Sequence, residues 1–239
     1  MSVRVSRAFR VAGALAVAQA APALTAVTPL RRELFPVLSG RGDGRQVALT
    51  FDDGPDAAGT PPVLDVLARY RITATFFLLG TQIQRAPTLT RELVAAGHEV
   101  AVHGFEHRCL LTRTPAGTHR DLAQARDLIA DLTGQEPNWY RPPYGVLSLA
   151  GLRAARRLRL RPVLWTTWGR DWEQRATSAS VAATVMRRLE PGGTILLHDS
   201  DCTSAAGSWR TTVDALPRVI EDTQARGMTL GPLRDHGLS

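Results

Sequence analysis

Two adjacent aspartates, Asp52 and Asp53, directly follow the apolar run at residues 47–51. Each carboxylate loses hydration beside buried residues, and the two negative charges repel each other, so the pair is costly unless it is compensated. A cation bound to one carboxylate, with a proton moved by the other, would compensate both. The pair therefore indicates the floor of a metal-dependent hydrolytic site.

A histidine pair supplies further candidate ligands. His103 and His107 are four residues apart, a spacing that predicts two imidazoles on one side of a helical turn. With one carboxylate they make a ligand set of two histidines and one acid, which leaves coordination positions open for water and substrate. His98 and His119 lack such partners, and we expect His98 to be structural and His119 to lie at a helix start.

Strands of a parallel sheet are expected to position these residues. Apolar runs rich in β-formers alternate with helical patterns, which predicts an α/β fold whose parallel sheet is either open or closed into a barrel. Asp52 follows the first predicted strand, His103 the third and His198 a late one, so three strand ends deliver titratable residues to one face. The predicted strands cover residues 47–51, 73–79, 99–102, 162–166 and 194–197, and the predicted helices cover residues 62–70, 88–96, 118–132, 149–158, 180–189 and 212–225.

Five motifs occur in the order and approximate spacing found in the polysaccharide deacetylases, the NodB-homology family that is also called carbohydrate esterase family four. The resemblance runs from about residue 47 to the C-terminus. It implies a distorted, incomplete (β/α)7 barrel of the polysaccharide deacetylase type. The motifs are Thr50-Phe51-Asp52-Asp53-Gly54-Pro55, His103-x3-His107, Arg141-Pro142-Pro143-Tyr144-Gly145, Arg170-Asp171-Trp172 and Leu196-Leu197-His198-Asp199.

The resemblance implies separate roles for the two aspartates. Asp52 would be the general base, and Arg141 would pair with it and keep it ionised. Asp53 would bind a divalent metal together with His103 and His107. Zn²⁺ is the expected ion, with Co²⁺ or Ni²⁺ as alternatives.

The remaining motifs imply an acid and a substrate pocket. His198 would be the general acid and Asp171 would orient it; from the residues alone, Asp171 could instead cap a helix that starts near residue 177. The backbone N–H of Tyr144 resembles an oxyanion donor. Trp172 and Leu196 resemble residues that enclose the acetyl methyl group.

Two positions depart from the family pattern. Gly104 stands where the family commonly has Ser or Thr, a change expected to alter loop packing without touching a ligand. Trp168 stands where the family commonly has another aspartate, three residues before Asp171. The residue that orients the acid is therefore retained, while Trp168 is expected to reshape the substrate groove.

The resemblance implies a metal-dependent hydrolase that removes acetyl groups from a polysaccharide by cleaving carbon–nitrogen bonds. The leading substrates are N-acetyl groups of GlcNAc-containing polymers such as peptidoglycan or chitin. Two alternatives stay open: an O-acetyl esterase on xylan-type glycan, and a non-catalytic glycan-binding protein on the same scaffold. A binding protein needs neither Asp52 nor His198, so the two residues favour an enzyme whose partner is an acetylated polysaccharide.

The N-terminus has the pattern of an export signal. Arg4, Arg7 and Arg10 precede an apolar stretch at residues 11–27, which predicts a signal peptide over residues 1–27, with a retained membrane anchor as the alternative. Residues 28–46 are predicted to be a linker, and residues 47–239 the deacetylase domain. The protein is therefore expected to be exported, either secreted or held at the cell surface.

Charge and cysteine content limit the other classes of function. The net charge is +7, and all 29 basic residues are arginine, which excludes chemistry based on a lysine Schiff base or a P-loop lysine. The arginines are scattered and belong to no nucleic-acid module, so we expect no nucleic-acid partner, whereas association with an anionic cell envelope stays open. Cys109 and Cys202 each follow a site histidine, and they form either a disulfide or two unpaired thiols. The sequence specifies no oligomeric state.

Overall fold

Eight strands form one sheet in the computed structural model, which describes residues 13–14, 16–27 and 31–238. The strands are β1 Gln46–Asp52, β2 Thr75–Leu79, β3 Glu99–Gly104, β4 Trp139–Tyr140, β5 Arg161–Pro162, β6 Thr167–Trp168, β7 Thr194–His198 and β8 Thr229–Gly231. The α-helices include α1 Leu24–Val27, α2 Arg31–Leu34, α3 Thr60–Tyr70, α4 Gly80–Arg85, α5 Pro87–Ala95, α6 Pro115–Thr133, α7 Leu149–Arg157, α8 Ser178–Arg188 and α9 Ser208–Ala225. Short 3-10 helices cover Ala21–Ala23, Leu110–Thr112, Pro143–Gly145 and Leu233–Asp235.

The strands are parallel and lie in the order β5-β4-β3-β2-β1-β7-β6, with β8 paired to β1. Across the described part of the chain, no pairing joins β5 to β6, so the curled sheet stays open between these two edges. The prediction of an incomplete barrel with parallel strands and surrounding helices is confirmed.

Strand β1 lies inside the sheet and separates the core from the site. Successive side chains of a strand point to opposite faces. Val47, Leu49 and Phe51 pack in the main core, which also contains apolar residues of the helices. Thr50 and Asp52 consequently share the other face, which is the inner side of the curled sheet. The alternation therefore carries the carboxylate of Asp52 to the C-terminal mouth of the barrel.

Local signals define several helix ends. Pro61 and Pro62 lie in the first turn of α3, where a missing N–H costs nothing. Thr177 caps α8 through a reciprocal capping box with Ser180. Gly134 ends α6 with a φ of 70° in the left-handed region that glycine adopts without strain. These starts and stops agree with the predicted helices to within a few residues.

The strand predicted at residues 162–166 is wrong. The structure has two two-residue strands here, β5 and β6, which lie at opposite edges of the sheet. The chain passes from one edge to the other through the buried residues Val163 and Leu164. The run is apolar because it crosses the interior, and hydrophobicity alone does not distinguish a crossing from a strand. The short strands β4, β6 and β8 and the helix α4 were not predicted.

The chain that precedes β1 packs against the domain. Arg31 donates a hydrogen bond from Nη2 to the carbonyl of Trp165 at 2.7 Å, and the N–H of Leu164 donates to the carbonyl of Leu38 at 2.7 Å. The division of the chain at residues 27 and 46 stays a prediction. Residues 1–12, 15 and 28–30, which include the basic part of the predicted export signal, lie outside the described residues. In the described ranges, no helix is long and apolar enough to cross a membrane.

Candidate active site

Three strand ends bring titratable side chains to the mouth of the barrel. Asp52 is the last residue of β1 and His198 the last residue of β7, and the two are direct partners across the paired strands. His103 is the penultimate residue of β3. Parallel strands end at the same edge of a sheet, so residues far apart in sequence meet there.

Asp52 is held by a buried arginine. Arg141 follows β4, and its fully buried guanidinium donates from Nη1 to Asp52 Oδ1 at 2.7 Å and to Thr50 Oγ1 at 2.7 Å. Its Nη2 donates to the carbonyl of Leu164 at 2.8 Å. The guanidinium also lies 4.0 Å from the ring centroid of Phe77. These contacts fix one carboxylate oxygen of Asp52 and leave the other directed toward His103, 3.9 Å from its Nε2.

Asp53 faces the two histidines. Its φ of 76° is in the left-handed region, so the chain turns sharply after β1. Asp53 Oδ1 lies 3.3 Å from His103 Nε2 and 3.5 Å from His107 Nε2. The ligand atoms of the three residues all lie within 4.8 Å of one another, a spacing that could hold one metal ion.

Hydrogen bonding and charge make this cluster suitable for a cation. His103 Nδ1 lies 2.8 Å from the carbonyl oxygen of Arg141, which only accepts, so Nδ1 carries a proton and Nε2 is directed at Asp53. Asp53 Oδ1 is buried and has no hydrogen-bond donor among the described residues. Burial alone would lower the pKa of His103, but the charges of Asp52 and Asp53 raise it instead. The space between the two imidazoles and the carboxylate of Asp53 thus favours a positive charge. The three residues fit a divalent metal.

His107 is suited to the same role. Burial, followed by the adjacent charge of His103, lowers the pKa of His107 to about 4. The imidazole therefore stays neutral, which is the form that binds a metal.

His198, at the end of β7, is paired with the buried carboxylate of Asp171. Asp171 Oδ1 lies 3.1 Å from His198 Nδ1, and Asp171 Oδ2 accepts a hydrogen bond from the His198 backbone N–H at 2.7 Å. Burial lowers the pKa of His198, but the charge and hydrogen bond of Asp171 raise it to about 9. The imidazole can therefore be protonated at neutral pH and donate from Nε2. Asp171 does not cap α8, because Thr177 does.

The cluster lines a pocket of about 260 Å³ with aromatic walls. Rings of Trp165, Trp168, Trp172 and His198 form a row along one side, with successive ring centroids 5.8, 5.4 and 5.4 Å apart. Leu196 adds an apolar surface. On the other side, Tyr144 packs its ring edgewise on His107 at 4.5 Å and is itself largely exposed. The pocket thus combines an apolar wall with hydrogen-bonding and charged groups, as a small-molecule or glycan site requires.

The family profile for polysaccharide deacetylases matches residues 39–163. A chitooligosaccharide deacetylase of Bradyrhizobium sp. (strain ANU 289) is 38% identical over 211 residues, which cover 84% of this chain and 95% of that protein. The chain belongs to the polysaccharide deacetylase family. The resemblance inferred from the five motifs is confirmed.

Solved structures of the family share the fold. The crystal structure of the Bc1960 peptidoglycan N-acetylglucosamine deacetylase superposes with a TM-score of 0.77 and 29% identity, covering 83% of this chain and 91% of that one. A family 4 acetyl xylan esterase from Clostridium thermocellum, in complex with a cobalt ion, has a TM-score of 0.71 and 28% identity, covering 80% of this chain and 89% of that one. The similarity extends over most of each chain.

The histidine motif of this polysaccharide deacetylase family member is not helical. His103 lies in β3 and His107 in the loop that follows, so the predicted helical turn is wrong. The reversal occurs at Gly104, whose φ of 141° is one that other residues adopt with strain. Asp121, a residue of α6, accepts the N–H groups of Phe105 and Glu106, both at 3.1 Å. This carboxylate fixes the turn that carries His107 back to Asp53.

Three threonines beside the site were not predicted. Thr50 Oγ1 accepts from Arg141. Thr203 Oγ1 donates to Asp53 Oδ2 at 2.5 Å, and Thr212 Oγ1 donates to Asp171 Oδ2 at 2.8 Å. Of the three, only Thr50 belongs to one of the five sequence motifs.

The two cysteines do not form the hypothesised disulfide. Both Cys109 and Cys202 are free. Cys202 Sγ lies 3.6 Å from the backbone carbonyl of Asp53, whereas Cys109 precedes the 3-10 helix Leu110–Thr112. Proximity in sequence to a site histidine therefore did not bring the sulfur atoms together.

The other candidate residues have structural contacts. His98 is buried and accepts the N–H of Ala74 at Nδ1, as expected of a structural histidine. His119 lies in the first turns of α6. Asp199 is buried and accepts the hydroxyl of Thr60 at 2.5 Å, so it lies outside the candidate ligand set.

Proposed function

We propose that this chain is a divalent-metal-dependent deacetylase that hydrolyses the N-acetyl groups of GlcNAc-containing polymers, cleaving the carbon–nitrogen bond and releasing acetate. The observation that carries the proposal is the division of two adjacent carboxylates between different partners in one pocket. Asp52 pairs with Arg141, while Asp53 faces His103 and His107. Membership of the polysaccharide deacetylase family supports the same reaction.

The residues that would hold the metal are Asp53, His103 and His107. Two histidines and one carboxylate suit Zn²⁺, and Co²⁺ or Ni²⁺ accept the same donors. When bound, the ion supplies Lewis-acid activation of a water and polarisation of the acetyl carbonyl. The cobalt ion bound by the Clostridium thermocellum esterase supports a metal in this fold.

The proton transfers fall to two residues that end the neighbouring strands β1 and β7. Asp52 is the general base, and the hydrogen bond that it accepts from Arg141 orients it. His198 is the general acid that protonates the leaving amine, and Asp171 orients it and favours its charged form. Protonation of the nitrogen is required because an amine anion is a poor leaving group.

Substrate positioning falls to the pocket walls. Trp172 and Leu196 line the apolar side and suit the acetyl methyl group. The backbone N–H of Tyr144 is proposed to stabilise the oxyanion. The aromatic row that continues through Trp168 and Trp165 suits the apolar face of a sugar ring.

The relatives support a proposal on substrate class and location. The Bradyrhizobium relative is a chitooligosaccharide deacetylase, and Bc1960 is a peptidoglycan N-acetylglucosamine deacetylase. We therefore propose a GlcNAc polymer of the chitin or peptidoglycan type and export to the cell envelope, where peptidoglycan lies. O-acetyl ester hydrolysis is the second candidate, since the Clostridium thermocellum structure is an acetyl xylan esterase.

Acetate release tests the proposal directly. The purified chain is stripped of metal, reloaded with Zn²⁺ or Co²⁺, and assayed on chitooligosaccharide, peptidoglycan and acetylated xylan. We expect release from the first two substrates that is lost on chelation. Release from xylan alone would identify the esterase, and no release from any substrate by metal-loaded protein would favour a glycan-binding protein.

Variants separate the proposed roles. Asp52→Asn should abolish turnover yet retain metal, whereas His103→Ala should lose both. His119→Ala is the matched control, because this histidine lies in α6 outside the pocket. Near wild-type activity in Asp52→Asn would show that the assignment of the base is wrong.

A further inference from the structure

The two carboxylate oxygens of Asp53 have different neighbours. Oδ1 faces the Nε2 atoms of His103 and His107 and receives no hydrogen bond from the described residues. Oδ2 accepts the hydroxyl of Thr203 at 2.5 Å. A short hydrogen bond from a neutral hydroxyl to a carboxylate is among the stronger kinds. The asymmetry divides the carboxylate into one oxygen for a metal and one for the protein.

We propose that Thr203 is a positioning residue that sets the metal affinity of the site. Its hydroxyl donates a hydrogen bond to Asp53 Oδ2 and stops rotation of the carboxylate. As a result, only Oδ1 faces the ion, beside the two imidazoles. Partners of this kind orient a metal ligand in advance and lower the entropic cost of binding. The inference rests on the proposed function, because it concerns the same metal ligand.

The loop that carries Thr203 is held in place by its own hydrogen bonds. The N–H of Gly207 donates to Asp201 Oδ2 at 2.6 Å, and the N–H of Ser204 donates to the carbonyl of Asp201 at 3.1 Å. The N–H of Ala205 donates to the carbonyl of Trp172 at 3.1 Å. The hydroxyl of Thr203 is therefore delivered by a fixed backbone, as a positioning residue requires.

The loop that carries Thr203 connects the proposed general acid with the proposed metal ligand. It begins directly after His198 and ends at α9, which carries Thr212 to Asp171. The loop thus supports the proposed acid at its start and the proposed metal ligand at its centre. A threonine hydroxyl donates a hydrogen bond to a carboxylate in each case: Thr203 donates to Asp53, and Thr212 donates to Asp171.

Metal affinity of two variants tests the proposal without any substrate. Thr203→Val removes the hydroxyl and keeps the shape, whereas Thr203→Ser keeps the hydroxyl. Zn²⁺ affinity is measured by competition with a chromogenic chelator on metal-stripped protein, and thermal unfolding checks that each variant is folded. We expect Thr203→Val to bind Zn²⁺ about ten-fold or more weakly and Thr203→Ser to bind like the unmodified chain.

Thr212→Val is the matched control for removal of a hydroxyl. It loses a bond to Asp171, which is not a proposed ligand, so its Zn²⁺ affinity should equal that of the unmodified chain. Unchanged affinity in Thr203→Val, or an equal loss in Thr203→Val and Thr203→Ser, would overturn the role of Thr203 while leaving the metal site intact. An unmodified chain that binds no Zn²⁺ would instead overturn the proposed function, and the role of Thr203 with it.

Discussion

The buried ion pair of Arg141 and Asp52 allows a stability test in which each single variant should be much less stable than the double variant. Arg141→Met removes the guanidinium and leaves Asp52 Oδ1 and the carbonyl of Leu164 without their donor. Both groups are cut off from water, since Asp52 is 3% exposed and Leu164 is 0% exposed. Removal of one partner of such a pair costs about 3–5 kcal/mol, so we expect the free energy of unfolding to fall by that amount.

The reverse substitution should cost a similar amount. Asp52→Leu leaves the guanidinium buried, with hydrogen bonds only to neutral oxygens of Thr50 and Leu164. If the two losses were independent, the double variant Arg141→Met/Asp52→Leu would lose at least about 6 kcal/mol. Replacement of a whole buried pair by apolar groups is often neutral or stabilising. The double variant should therefore lie within about 1–2 kcal/mol of the unmodified protein, although it is inactive.

The free energy of unfolding is measured by equilibrium urea unfolding of the unmodified protein, the two single variants and the double variant, which together form a double-mutant cycle. A chelator is present throughout, because metal bound only to the folded state adds stability that depends on its concentration. The conservative variant Arg141→Lys is a further control, since it keeps the charge but loses the fork that reaches three oxygens. A double variant as unstable as the sum of the singles would refute the reasoning, because it would show that the two side chains do not compensate each other's burial.

The His198 pair, the tryptophan row and Gly104 each give a further expected outcome. Because the pKa of His198 is raised from 6.5 to about 9, its pairing stabilises the fold fully below pH 6.5 and this stability is lost as the pH rises through about 9. Asp171→Asn should lower that pKa, and an NMR titration of the imidazole in chelator-treated protein measures it; an unchanged value contradicts the pairing. Trp168→Ala should raise KM for chitooligosaccharide roughly five-fold, as loss of about 1 kcal/mol of apolar contact implies, with kcat little changed, whereas a fall in kcat alone would exclude a role in sugar binding. Gly104→Ala should lower the free energy of unfolding by about 1–3 kcal/mol because of its positive φ, and an unchanged urea midpoint would show that the turn relaxes.

Prediction of the fold from sequence succeeded where strands were long. The strands β1, β2, β3 and β7 each have five to seven residues and are almost wholly buried, so they read as continuous apolar runs. The strands β4, β5 and β6 have two residues each, too few for any periodicity. They exist because neighbouring chain segments pair with them, which is a tertiary property.

The candidate site shows the same division. The spacing of His103 and His107 predicted two imidazoles in one place, and the structure brings them together, but through a strand end and a glycine turn. Thr203 and Thr212 carried no signal, because a single threonine in a loop or helix is common and only its distance to a carboxylate makes it notable. The roles of these residues in catalysis and metal binding stay predictions.

The kinds of chemistry available to this protein could be predicted from its amino-acid sequence. It specified adjacent carboxylates after an apolar strand, two histidines at a ligand spacing, and an arginine and a histidine in motifs of one family. Side-chain type is a property of the sequence, and so is the order in which strands deliver these residues to one edge. That information was enough for the family and the barrel.

The partners of the two carboxylates, by contrast, depend on how distant segments of the chain pack together. Asp52 and Asp53 are neighbours in sequence, yet one meets Arg141, 89 residues away, and the other meets His103, His107 and the hydroxyl of Thr203, 150 residues away. The two side chains diverge because a strand alternates the direction of its side chains and because Asp53, in the turn after the strand, has a left-handed φ. The two carboxyl groups thus point to different neighbours, which packing of distant segments supplies.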